Sequence, residues 1–150
     1  MRNSSYRQAF TLIEVLIVVI IMAVLAATII PQFSTSTEDA KTGQLEFNLH
    51  TMRAQIEMYK MHHNGDYPSF ANFATQMTQA TNIDGGTTGD TPYGPYIADD
   101  IPANPHNASN AIVAVAAAGT KPAAVVAGGA GWQYDESNGS IWANNAEAYE

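Results

Sequence analysis

The stretch Arg7–Pro31, RQAFTLIEVLIVVIIMAVLAATIIP, decides how the rest of the chain is read. From Phe10 to Ile30 it runs for 21 residues, and its only polar members are Thr11, Glu14 and Thr28. Wound as an α-helix at about 1.5 Å per residue, such a run is about 31 Å long. That matches a bilayer hydrocarbon core of about 30 Å. A short leader, MRNSSYRQA, carries Arg2 and Arg7 ahead of it, and Glu38 and Asp39 follow it. Basic residues on the near flank favour a cytoplasmic N-terminus, with the remainder of the chain crossing. The anomaly is Glu14, because a carboxylate near the middle of a bilayer costs about 2.5–3.5 kcal/mol on insertion scales.

Three readings of this segment compete. A secretory signal peptide has a basic start and an apolar centre, and Ala26 and Ala27 would supply small residues for cleavage. The run is long for that role and holds an acid. An ordinary membrane anchor fits the length but leaves Glu14 without a purpose. The third reading removes the leader between Ala9 and Phe10. Phe10 then carries a free amine four residues from Glu14. An opposite charge nearby offsets the cost of burying a carboxylate. Within one helix the two groups meet only approximately, whereas two helices staggered along their axes pair them well. Glu14 then acts as a register device, since a subunit lacking a partner amine leaves it unpaired.

The residues AFTLIEVLIVV resemble the processing site of type IV prepilins and type II secretion pseudopilins. In that family a short basic leader ends in a small residue, usually Gly, before Phe-Thr-Leu-Ile-Glu and an apolar helix. Here Ala9 stands in place of Gly. The resemblance implies that a prepilin peptidase cleaves between Ala9 and Phe10 and methylates the new amine of Phe10. It implies filament assembly through Phe10 and Glu14, and Pro31 falls where family members often carry a helix-kinking proline. Implied partners are further copies of the chain in a helical homopolymer, minor pseudopilins, the peptidase, and an inner-membrane assembly platform with its ATPase. The implied location is the bacterial inner membrane, crossed once, with a periplasmic C-terminal domain and a periplasmic filament after assembly.

Beyond Pro31 the polarity changes. Proline lacks an N–H and bends a helix without necessarily ending it, and Gly43 is a second soft point. Leu45, Leu49, Met52, Ile56 and Tyr59 recur at spacings of 4, 3, 4 and 3, which is one apolar stripe on a helix. Glu46, Arg53, Glu57 and Lys60 occupy the opposite face, and only Glu57 and Lys60 are close enough in sequence to pair locally. One long helix from about residue 10 to about 63 is expected. It stops at HHNGDYPS, where Asn64-Gly65 supplies a left-handed C-terminal position and Pro68 reinforces the break. Ser69 is placed to cap a short helix with Phe70, Phe73 and Met77 on one side. Tyr59, Lys60, Gly65, Tyr67 and Pro68 together are similar to the helix end and Gly-x-Tyr-Pro stretch of major pseudopilins.

The adjacent His62 and His63 do not share a helix face as metal ligands usually do. They read as a solvated helix end, where positive charge suits the dipole. TNIDGGTTGDTPYGPYIADDIPANPHN is a loop throughout. Its Asp84, Asp90, Asp99 and Asp100 offer oxygen ligands to a hard cation such as calcium, and a solvated acidic loop is the competing reading. The resembling pseudopilins often carry calcium in their C-terminal region, but no EF-hand spacing is present. YGPYI and IPANP are similar to a Gly-Pro-Tyr and Pro-x-x-Pro region of the same family. Ala111–Val115 and Ala123–Val126 are short apolar runs. Trp132 and Tyr134 lead through DESNG into Ser140, Ile141 and Trp142, a hairpin whose aromatics should cover the soluble helix.

Composition bounds the function. The 150 residues allow one ordinary domain, or a small domain with an appendage. With no Cys, disulfides, thiol catalysis and thiolate metal sites are excluded. Fourteen acids face six bases, of which Lys41, Arg53, Lys60 and Lys121 are the ones after residue 9, so no basic patch invites nucleic acid. No Ser/His/Asp arrangement, phosphate loop or metal-ligand cluster is evident, so no catalytic residue is assigned and an enzyme is not expected. The sequons at Asn107 and Asn138 are short enough to arise by chance.

The expected fold class is α+β and pilin-like: a long N-terminal helix, membrane-embedded in its first half, packed on a small C-terminal antiparallel sheet. The expected organisation is a cleaved leader over 1–9 and a transmembrane, filament-core helix over 10–30. The soluble half of the helix covers 31–63, and a globular periplasmic domain covers 64–150. The expected function is that of a major pseudopilin of a type II secretion pseudopilus, which helps export folded proteins. A type IV pilin for adhesion, motility or DNA uptake is the first alternative. A membrane-anchored periplasmic binding module that does not assemble is the second.

Overall fold

The computed structural model describes the backbone of residues 10–145 and, within that range, every side chain but those of 30–35. Helix α1 spans Leu12–His62, 51 residues, and runs through Pro31 and Gly43 without a break. The chain divides inside this helix into two compact units, Met1–Ala40 and Lys41–Glu150. In the first, Leu12–Ile29 is long and apolar enough to cross a membrane, and none of these residues is buried within the chain.

The second unit forms around the other half of α1. Leu45, Leu49, Met52, Ile56 and Tyr59 are all buried, so the predicted stripe is the helical side of the core. Each such side chain contributes about 1.5–3 kcal/mol by leaving water. Glu57 and Lys60 pair at 3.9 Å, as their spacing predicts. Arg53 stays exposed yet reaches the sheet, donating from Nη2 to the carbonyl of Ile141 at 2.9 Å. The helix ends as expected. Asn64 and Gly65 adopt φ of 55° and 93°, and the N–H of Gly65 donates to the carbonyl of Lys60 at 3.0 Å.

A 3₁₀ turn, Phe70–Asn72, leads into the short helix α2, Phe73–Thr78. Ser69 occupies the capping position but makes no side-chain cap. Its N–H donates to Oε1 of Gln76 instead, at 2.8 Å. Phe73 and Met77 join the core while Phe70 stays exposed. The 3₁₀ turn advances the chain by a different angle from an α-turn, so Phe70 leaves the face that Phe73 and Met77 share.

The sheet has the order β1 (Ile112–Ala114), β2 (Trp132–Asp135), β3 (Ser140–Ala143). The β2–β3 hairpin is antiparallel, with Gln133 opposite Trp142 and Tyr134 opposite Ile141. The β1–β2 pair is parallel and aligns Ile112 with Trp132, so the sheet expected as antiparallel is mixed, antiparallel in its hairpin. Parallel neighbours need a long crossover, and the Ala/Gly-rich segment 115–131 provides it. Within that segment 123–126 forms no strand. The alternation of β2 divides its side chains. Trp132 and Tyr134 join the core cluster with the helix. Gln133 and Asp135 are buried too. The crossover hangs on them: Gln133 Nε2 donates to the carbonyl of Ala124 at 3.1 Å, and the N–H of Gly119 donates to Oδ2 of Asp135 at 2.5 Å. Asn144 completes the strap by accepting from Val126 N–H at 2.8 Å and donating to its carbonyl at 2.9 Å.

The HHNGDYPS stretch ties helix to hairpin. Lys60 Nζ donates to the Tyr67 hydroxyl at 2.7 Å, which holds the ammonium above its ordinary pKa; burial opposes this and Glu57 adds to it. Tyr134 donates to the carbonyl of Pro68 at 2.8 Å. The Tyr67 ring lies so close to Gly139 that a Cβ there would collide with it. His63 corrects the solvated-end reading. It is buried, stacks on Tyr59 with ring centroids 3.7 Å apart, and bonds the Tyr59 carbonyl and the Thr81 hydroxyl at 2.7 and 3.0 Å. His62 reaches the Tyr96 hydroxyl at 2.9 Å. Burial, with Tyr96 and Asp66 nearby, pushes the Tyr59 hydroxyl up to about 12.

Candidate functional site

The candidate site is the start of α1. A helix beginning in an apolar medium leaves its first N–H groups without partners, and lipid supplies none. Thr11 and Glu14 answer this reciprocally. The N–H of Glu14 donates to Thr11 Oγ1 at 3.3 Å. The N–H and the hydroxyl of Thr11 both donate to Glu14 Oε2, at 2.9 and 2.8 Å. This is a capping box, with Thr at the cap and an acid three residues on. It also sets the carboxylate at the positive end of the helix dipole. Both bonds fall on one oxygen, and among the described residues none donates to Oε1.

The predicted residues are placed as follows. Phe10 lies just before the helix and is exposed. Ala9 and the rest of the leader lie outside the described residues. Glu14 sits in the first turn of α1, where it meets Thr11, not Phe10. In the uncleaved chain the nitrogen of Phe10 is a peptide N–H, so no ammonium is there to pair. Sequence reading missed Thr11, although the Thr-x-x-Glu spacing before an apolar run was the signal that could have found it.

The aspartates considered for calcium do not converge. Asp100 accepts from Ile101 N–H at 2.7 Å and from the Asn110 side chain at 2.8 Å. Asp84, Asp90 and Asp99 are exposed. Among the described residues no group of three or more His, Asp or Glu side chains is arranged to hold a metal.

Residues 4–30 match the family described as the prokaryotic N-terminal methylation motif. The chain is 36% identical over 63 residues to the type II secretion system core protein G of Pseudomonas aeruginosa, covering 42% of this chain and 44% of that protein. It is 34% identical over 68 residues to the protein of that name from Pectobacterium carotovorum, covering 45% and 43%. A ComG operon protein 3 homolog of Bacillus licheniformis is 29% identical over 76 residues, which is 51% of this chain and 78% of that protein. The chain thus spans less than half the length of the secretion relatives it matches. No solved structure matches it. With its methylation motif and apolar helix the chain resembles type IV pilins and pseudopilins, and over less than half of its length it is similar to the core protein G of type II secretion.

Proposed function

We propose that this chain is the major pseudopilin of a type II secretion pseudopilus, a structural subunit and not a catalyst. The observation that carries the reading is one carboxylate, Glu14, at the capped start of the apolar stretch Leu12–Ile29, inside the methylation motif. The precursor waits in the inner membrane, leader in the cytoplasm and soluble domain in the periplasm. A prepilin peptidase cuts between Ala9 and Phe10 and methylates the new amine. Cleavage turns the nitrogen of Phe10 from a peptide N–H into a cation. The amine of one subunit then meets Glu14 of the next, on the oxygen that the capping box leaves open. An assembly platform with its ATPase lifts subunits from lipid, and packing of neighbouring apolar helices offsets their loss of lipid contact. Minor pseudopilins complete the filament.

The test is the mass of the N-terminal peptide of protein taken from its native membrane. A peptide beginning at methylated Phe10 is expected. One beginning at Met1 in cells with active peptidase would sink the reading in favour of a plain anchor, and a start near Ala27 would make the segment a signal peptide. A type IV pilin for adhesion, motility or DNA uptake is the second reading. It is favoured by the 78% coverage of a relative whose name does not mention secretion. Deleting the secretion platform separates the two, since only a pseudopilin should then stop assembling.

A further inference from the structure

The proposed function makes no use of the two sequons, Asn107-Ala-Ser109 and Asn138-Gly-Ser140. Such a triplet accepts an N-linked glycan where its carboxamide is reachable on the far side of the membrane. The two are held differently. At Asn107 the carboxamide is engaged at both ends: Nδ2 donates to the Ala130 carbonyl at 2.9 Å, and Oδ1 accepts from the Ser109 N–H at 3.1 Å. Its nitrogen is thus turned inward, onto the end of the crossover. Asn138 lies in the turn 136–139 between β2 and β3 and is half-exposed. Its Oδ1 accepts from the Ser140 N–H at 2.9 Å, an Asx turn that fixes the carboxamide against the backbone. Among the described residues none accepts from its Nδ2, and none bonds the Ser140 hydroxyl. We infer that Asn138 is an N-glycosylation site, the acceptor of a saccharide carried on a polyprenyl diphosphate, and that Asn107 is not. The inference rests on the reading above only for the periplasmic position of the soluble domain.

In the transfer, Nδ2 attacks the anomeric carbon of the first sugar. A C–N bond forms and the bond from that carbon to the diphosphate oxygen breaks. The polyprenyl diphosphate leaves with the electron pair, and Nδ2 gives up one proton to a base on the transferase. The step needs the nitrogen turned outward, and the Asx turn does this by holding the oxygen to the backbone. The residues on either side of Asn138 offer handles for the transferase. The Ser140 hydroxyl, two residues on, both donates and accepts. Glu136, two residues before, is exposed. Its Oε2 accepts from the Phe70 N–H at 2.7 Å, and its charge at the surface suits a cationic group on the enzyme. The attached sugar also has a seat. Glu136 and Ser137 form one wall of an open cleft of about 490 Å³, and the other wall includes Asp66 and Ser69. Carboxylates and hydroxyls are the groups that bond sugar hydroxyls.

The test produces the full chain in bacterial cells that hold a periplasmic oligosaccharyltransferase and its polyprenyl-linked oligosaccharide, beside a second protein of known acceptor activity. Glycopeptide mass spectrometry reads the attachment site, and protease digestion of spheroplasts reads the side on which the soluble domain lies. One glycan per chain is expected, on Asn138. Asn138→Gln should abolish it and Asn107→Gln should leave it in place. Ser140→Ala keeps the acceptor nitrogen and removes the hydroxyl. Occupancy should then fall about tenfold, the worth of one hydrogen bond, while the unfolding temperature of the detergent-solubilised chain stays the same. A bare chain beside a glycosylated control, with the soluble domain digested in spheroplasts, overturns the inference and leaves the secretion reading standing. A glycan on Asn107, or undiminished occupancy in Ser140→Ala, overturns it as well. A soluble domain protected inside the spheroplasts would sink the membrane reading and take the inference with it.

Discussion

The two halves of α1 share one helical geometry and differ in what their side chains require. From Leu12 to Ile29 every residue is exposed within the chain and nearly every one is apolar. From Leu45 to Tyr59 apolar residues return every third or fourth position, and the buried face meets a sheet supplied by the same chain. The first half is therefore incomplete as a monomer and needs lipid or other copies. The second half finds its partner at home. On the proposed function the difference separates assembly from folding, with Glu14 serving the one and the hairpin aromatics the other.

The largest expected effect falls on the self-sufficient half. Trp132 is fully buried and its indole N–H donates to the Pro102 carbonyl at 2.7 Å. Trp132→Ala should cost about 3–5 kcal/mol, read as a drop in unfolding temperature of the solubilised chain, while membrane insertion persists. Loss of insertion in that variant would mean that the halves are not independent. Glu14→Ala is the reciprocal case. A desolvated charge pair couples by about 1.5 kcal/mol or more, so the sedimented filament fraction should fall about tenfold or further. The soluble domain should melt as before. Full assembly without this carboxylate would remove the basis for the proposed stagger.

Acid should sharpen the comparison further. Burial acts to raise the carboxyl of Asp135, but hydrogen bonds from Ser137 Oγ, Gly119 N–H and Ser137 N–H together hold it below its ordinary 3.8. A depressed carboxylate stabilises the fold above its unfolded value and stops doing so as pH falls through its folded value. Stability of the soluble domain should therefore stay level from neutrality to about pH 4 with respect to this group and then decline. Asp135→Asn should remove that part of the decline, and segment 115–131 should show the change first by amide exchange. An equally steep acid decline in Asp135→Asn would place its cause elsewhere. The smallest effect is expected from Thr11→Val, which removes a helix cap worth about 1 kcal/mol. Amide exchange at the first turn of α1 should quicken while filaments still form. If Thr11→Val were as damaging as Glu14→Ala, the acid would act through the cap and not through a neighbour's amine.

Much of this was legible in the chain because it depends on near neighbours in sequence. The apolar run, the stripe from Leu45 to Tyr59, the stop at Asn64-Gly65 and the turn before Gly139 are each local patterns of polarity or backbone freedom. Thr11 was equally local and was overlooked. His63 was not legible. Its burial depends on Thr81, 18 residues away, and on the loop that brings Tyr93 and Tyr96 against it. The parallel β1–β2 pair was hidden for the same reason. Its register is set across a crossover with no periodicity of its own, held by Gln133, Asp135 and Asn144.

By itself the sequence determined that this chain has a segment able to span a membrane, with one acid at its head, and a second helical half with a face to bury. Hydrophobicity and helical periodicity act over a few residues, and no partner is needed to read them. Only the tertiary structure decided that β1 pairs in parallel with β2 and that His63 is buried against Thr81 and the tyrosines of the following loop. These features rest on contacts between residues far apart in the chain, which local polarity and periodicity do not encode.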